Sequence, residues 1–168
     1  MAGLVGTTPD ALYTRQRALV DLGLLTYKPG RGPGSGSPVS ADNVAALLIA
    51  LMTADTLQET DKRVKEMCFA APAGRRRLCP WTKANTLQKA LGCALELTNR
   101  DNFSFASFVI YRGKGAQLSY RHGGVSYGSI FNVTGRTTAS RILIDARIDA
   151  PFFRQVSAAL NAEIISSN

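Results

Sequence analysis

The chain opens with apolar residues at helical spacing over residues 9–22. One side of the helical wheel carries the apolar members, which are Ala11, Leu12, Ala18, Leu19 and Leu22. The opposite side carries the polar and exposed ones, which are Asp10, Tyr13, Thr14, Arg17 and Asp21. Thr8 and Pro9 favour a helix start, because a threonine side chain caps free N–H groups and proline suits the first turn. Gly23 favours a helix end, and residues 24–27 have the composition of a short strand.

Helical spacing returns in the middle of the chain. A strongly apolar helix is predicted from Ser40 to Met52, and its almost all-round apolar character indicates a buried central helix. Two further helices are predicted over residues 56–68 and 82–97. Glycines and prolines between these segments predict loops.

From Phe103 the period changes to strict alternation. The pattern predicts strands over residues 105–112, 116–121, 125–133 and 139–148, followed by a helix over 151–165. Short glycine-containing turns join the strands, so we expect a four-stranded antiparallel meander covered by the C-terminal helix. The fold class is therefore α+β, with a helical part over residues 1–100 and a sheet part over 101–168 for dimerisation or partner binding.

Charge adds a preference for anionic partners. Twenty Lys and Arg residues against twelve Asp and Glu give a net charge of +8. Such an excess favours nucleic acid, although a diffuse excess also serves solubility. No apolar run is long enough for a membrane span, and the start lacks the pattern of a signal peptide, so we expect a cytoplasmic protein that does not bind membranes.

The sequence offers few residues or motifs that indicate catalysis or metal binding. Cys68, Cys79 and Cys93 are odd in number and widely spaced, which favours free core thiols over disulfides or a zinc site with His122. The sequence contains no common catalytic motif. We therefore expect neither enzymatic activity nor a metal or other cofactor.

The first predicted helix is the main candidate for DNA contact. Residues near the start of a recognition helix read base edges, which favours Thr8, Tyr13, Thr14 and Arg17, with Arg17 as a bidentate donor to guanine or phosphate. The Gly-rich loop over residues 29–38 follows where a wing would lie, and Lys28 and Arg31 would reach the DNA backbone or minor groove. The alternatives are an ordinary amphipathic surface helix and an ordinary flexible linker.

A second basic feature precedes Trp81. Arg75, Arg76 and Arg77 are consecutive on a predicted loop, where they would clamp phosphates while Trp81 stacks on a base. The alternative is an exposed basic loop beside a buried tryptophan.

Residues 8–25 resemble the recognition helix and first wing strand of MarR-type winged helix-turn-helix regulators. The resemblance rests on the Thr8-Pro9 start, on Leu12 and Leu19, and on the closing Gly23-Leu24-Leu25 at this spacing. Together with the Gly-rich loop that follows, it covers about thirty of the 168 residues. It implies that residues 1–100 form a winged-helix-like DNA-binding part of a transcriptional regulator that binds double-stranded DNA, similar to regulators encoded by phages or mobile elements. A homodimer is expected, because one recognition helix reads too few bases for useful specificity. The alternative function is a phage-type structural protein, or one that binds a host protein, with non-specific affinity for nucleic acid.

Overall fold

A computed structural model describes residues 7–27, 39–53, 62–74, 77–97, 103–111, 114–132 and 145–166. The helices are α1 (Pro9–Asp21), α2 (Ala41–Thr53), α3 (Lys62–Cys68), α4 (Leu87–Leu97) and α5 (Ala150–Ser166). The strands are β1 (Ala71–Pro72), β2 (Phe103–Tyr111), β3 (Gly115–His122), β4 (Val125–Asn132) and β5 (Asp145–Asp149). The predicted α+β class is confirmed.

The strands form one antiparallel sheet in the order β1-β4-β3-β2-β5. The predicted hairpins from β2 to β4 are confirmed. The last strand was expected beside β4, and that expectation was wrong: β5 pairs with β2, with Ile148 opposite Phe108. Strands β2 to β5 therefore form a Greek key, in which the last of these four strands, β5, returns to lie beside the first of them, β2. Alternation fixes which side chains point to the core, but it does not say which neighbour a strand selects.

Helices cover one face of the sheet. Phe153 of α5 is fully buried and its ring stacks parallel to Phe105 of β2, with ring centroids 3.6 Å apart. The Ser157 hydroxyl donates to the Leu95 carbonyl oxygen at 2.6 Å, which ties α5 to α4. The C-terminal helix therefore covers the sheet as predicted.

Two element boundaries differ from the predictions. Helix α4 begins at Leu87 and not at residue 82, because the chain turns at Lys83, which has a positive φ of 59°. Strand β1 was not predicted, since its two residues carry no periodic pattern. The first parts of the predicted helix 56–68 and strand 139–148 lie outside the described residues.

One buried cluster contains residues from both predicted parts. Leu19 and Leu24 belong to it, together with Phe108 and Phe153. The division at residue 100 stays a prediction. Among the described residues, no helix has both the length and the apolar character needed to cross a membrane.

Candidate nucleic-acid interface

Both ends of α1 are closed by local hydrogen bonds. At the start, the Thr8 hydroxyl oxygen accepts from the Ala11 N–H at 3.2 Å, as expected of a cap. At the end, the Gly23 N–H donates to the Val20 carbonyl and the Leu24 N–H to the Leu19 carbonyl, both at 2.9 Å. These two bonds define a Schellman motif, and Gly23 supplies its left-handed residue with a φ of +70°. The predicted bounds of the helix are therefore confirmed to within one residue.

The inner side of α1 is anchored to later helices. Leu19 is fully buried, and the Arg15 guanidinium donates to the Ala50 carbonyl oxygen at 3.2 Å. That carbonyl lies in the last turn of α2, so the bond ties α1 to the C-terminal end of α2. The Gln88 side-chain amide of α4 donates to the Leu24 carbonyl at 3.1 Å. The scaffold for α1 thus comes from elements that follow it in the chain.

The outer side of α1 is exposed as the spacing predicts. Tyr13 is 62% exposed, and Thr14 and Arg17 are exposed beside it. Residues three and four apart are neighbours on a helix surface, so these three side chains form one continuous patch. We call Tyr13, Thr14 and Arg17 the α1 patch. The Thr14 hydroxyl donates to the Asp10 carbonyl at 2.8 Å, which fixes its rotamer.

The first wing strand is not formed over residues 24–27, and that expectation was wrong. Leu24 and Leu25 are buried, while the Thr26 N–H donates to the Asn43 side-chain oxygen at 3.2 Å. The segment therefore packs against α2 instead of pairing as a strand. The proposed wing over residues 29–38 lies outside the described residues, and so do Lys28 and Arg31.

Only Arg77 of the arginine loop belongs to the described part of the chain. Arg77 is exposed on the loop that follows β1, with a positive φ of 48°, whereas Arg75 and Arg76 lie outside the described residues. Trp81 is only 8% exposed, and its ring stacks on Tyr120 with centroids 4.5 Å apart. The expected burial of Trp81 is therefore confirmed, and a ring covered by protein offers no open face to a base.

Sequence reasoning missed the structural role of Arg15. Its position near the border of the two helix faces gave no signal of a carbonyl partner 35 residues away. It also missed the continuation of the aromatic stack, in which Tyr120 and Tyr127 pair across β3 and β4 with ring centroids 5.5 Å apart. The tyrosine pair depends on which residues of β3 and β4 lie opposite each other, and the sequence alone does not reveal this register.

Metal and thiol chemistry have little support in the described part of the chain. That part contains no group of three or more His, Cys, Asp or Glu residues able to hold a metal ion. Cys68 and Cys79 are buried free thiols, and Cys93 is half-buried. Burial raises the pKa of Cys68 to about 12, so it stays a neutral thiol at physiological pH.

No protein-family model matches this chain, and neither a curated protein nor a solved structure shows significant similarity to it. The structure itself defines an α+β protein with one antiparallel sheet, helices on one face of that sheet, and an anchored N-terminal helix with an exposed outer side.

Proposed function

We propose that the protein is a sequence-specific regulator of transcription that binds double-stranded DNA and lays α1 in the major groove. The observation that carries this proposal is the pairing of a fixed inner side with an open outer side on α1. Leu19 and Arg15 hold the helix, while the α1 patch faces solvent. A rigid helix that presents a tyrosine, a threonine and an arginine is suited to reading base edges.

Each member of the α1 patch has a specific role in this proposal. Arg17 donates two hydrogen bonds to guanine, or clamps a phosphate. Tyr13 and Thr14 contact bases or the sugar-phosphate backbone near the start of the helix. Asp10 and Asp21 lie at the two ends of the exposed side, which leaves Arg17 as the cation between them.

The overall charge supports the same partner. A net charge of +8 attracts DNA before any base is read. In this proposal, residues 29–38 act as the wing, Lys28 contacts the DNA backbone and Arg31 enters the minor groove. Arg75, Arg76 and Arg77 supply further phosphate contacts.

Selection from random duplex DNA tests the proposal. The purified full-length protein is incubated with the library at two salt concentrations, and bound DNA is sequenced after several rounds. We expect an enriched motif that Arg17→Ala weakens by about 10- to 100-fold, the cost of one lost bidentate contact.

Arg154→Ala is the matched control, because Arg154 is also an exposed helical arginine but lies on α5. It removes the same charge and should leave motif binding almost unchanged. Equal losses for both variants, together with steep salt dependence and no enriched motif, would reduce the interaction to phosphate attraction and contradict the proposal.

A second candidate function has an observation of its own. Val125 and Tyr127 lie two residues apart on the same face of β4 and are 54% and 46% exposed. Exposed apolar side chains on one strand favour a protein partner. On this alternative the chain is a phage-type structural protein, or one that binds a host protein, and its charge gives only non-specific affinity for nucleic acid.

A further inference from the structure

The two edges of the sheet are protected very differently. Strand β5 forms one edge, and three of its five residues, Asp145, Arg147 and Asp149, are charged. At the other edge β1 pairs only with the last two residues of β4. Strand β4 contains no charged residue. Charges and short strands are the usual protection of an edge against pairing, so β4 lacks a device that β5 has.

Main-chain groups of β4 remain available beyond the end of β1. The Ala73 N–H donates to the Ile130 carbonyl at 2.7 Å, which extends the β1 pairing by one residue. Because pairing alternates along a strand, the even-numbered residues of β4 direct their N–H and C=O groups away from β3. Ser126 and Gly128 present these groups at the edge, where no strand of the described residues pairs with them.

Side chains at this edge are also incompletely covered. Tyr127 stacks on Tyr120 on the helix-covered face of the sheet, yet it remains 46% exposed. Val125 lies two residues away on the same face and is 54% exposed. The stack of Trp81, Tyr120 and Tyr127 therefore ends at an open position beside β4.

We propose that a second copy of this chain pairs with this edge, so that two β4 strands join antiparallel and two sheets become one. A two-fold axis at Ser126 places this residue opposite the partner's Ser126. The same register places Tyr127 opposite the partner's Val125, and Gly128 opposite the partner's Gly124.

This register has three physical advantages. Aromatic and β-branched residues form favourable cross-strand pairs, and the symmetry makes the Tyr127 contact with the partner's Val125 occur twice. Serine and glycine on the other face allow close approach, and the neighbouring charge on that face, Arg121, lies one strand away on β3. The partner strand reaches its Gly123-Gly124 turn before it meets Ala73, so β1 stays in place.

The mass of the free protein measures this pairing directly, so the test of the pairing does not depend on DNA binding by α1. If both proposals hold, the dimer carries two copies of α1, as recognition of a two-fold symmetric site requires. Loss of pairing with retained motif binding, or the reverse, would separate the two.

Light scattering coupled to size-exclusion chromatography is the first test. We expect the full chain at micromolar concentration to have twice the 18.0 kDa mass of one chain. Ser126→Lys places two like charges across the axis and should raise the dimer dissociation constant at least about tenfold. Asn132→Lys is the control, because it adds the same charge on β4 at the end that β1 covers.

A cross-link tests the register itself. Directly opposed residues in a hydrogen-bonded antiparallel pair have Cα atoms about 5.5 Å apart. This distance suits a disulfide. Ser126→Cys should therefore give a covalent dimer under oxidation, whereas Asn132→Cys and the unmodified chain, with its own three cysteines, should not.

Circular dichroism confirms that each variant is folded before its mass is interpreted. A monomer at all concentrations would overturn the proposal and leave the edge to a strand from another protein. A dimer that tolerates Ser126→Lys and gives no Ser126→Cys cross-link would place the contact elsewhere and would also overturn it.

Discussion

The backbone N–H of Leu24 donates to the carbonyl oxygen of Leu19 at 2.9 Å, and both leucine side chains are buried in the same core. This bond reverses the chain direction at the end of α1 and directs the following residues toward α2 and α4. It needs Gly23 between them in a left-handed conformation with a φ of +70°. The end of α1 is therefore both a local motif and a point of attachment to the core.

Gly23→Ala should lower the free energy of unfolding by about 1 kcal/mol, because a β-carbon disfavours the left-handed conformation. A β-carbon at this position would meet no atom within 4 Å, so the loss comes from the backbone alone. Urea unfolding measures it. Gly23→Asn should recover part of the loss, since asparagine tolerates this conformation. An equal loss for both variants would point to a steric cause instead.

Arg15 and Arg17 provide a matched pair on one helix. Arg15→Ala should lower the free energy of unfolding by about 1–2 kcal/mol, because the Ala50 carbonyl loses a charged donor. Arg17→Ala should change it by less than about 0.5 kcal/mol, as for other exposed positions. Thermal unfolding of both variants distinguishes the anchoring arginine from the one we propose for DNA contact. Similar losses would contradict the assignment of separate roles.

Trp81 should contribute strongly to stability although it lies on a loop. Trp81→Ala should cost about 3 kcal/mol, because the change removes a buried ring stacked on Tyr120. Trp81→Phe should cost less, since a ring remains. Unfolding followed by far-UV circular dichroism measures both, and Tyr13→Ala at an exposed aromatic position serves as the control. A loss below about 1 kcal/mol for Trp81→Ala would show that the loop is weakly packed.

Cys68 should make stability depend on alkaline pH. Burial raises the pKa of its thiol from the ordinary 9.0 to about 12, so the folded chain holds this proton more tightly than the unfolded chain. The contribution is complete below pH 9 and is lost as the pH rises from 9 toward 12. The difference in unfolding free energy between the unmodified chain and Cys68→Ala, followed over this range, isolates it.

A thiol reagent gives an independent check of the same residue. At pH 8 the native chain should react at Cys93, which is half-buried, well before Cys68. Rapid modification of Cys68 in the folded protein would contradict the burial that raises its pKa.

Local signals predicted much of the candidate site. The start at Thr8, the end at Gly23 and the exposed side of α1 all followed from neighbouring residues, because capping and helical periodicity act over a few positions. The anchoring of α1 could not be predicted, since Arg15 and Gln88 bind carbonyl groups far away in the chain. The wing strand was wrong for the same reason: burial of Leu24 and Leu25 outweighed their local strand preference.

The sequence alone determined the α+β class, the position of most helices and strands, and the amphipathic side of α1, because these depend on side-chain periodicity within each segment. Only the tertiary structure decided that β5 lies beside β2, that β1 joins β4, and that Tyr127 and Val125 end at an open edge. Strand order depends on contacts between segments that are far apart in the chain. Pairing between distant segments therefore leaves no periodic trace in either one.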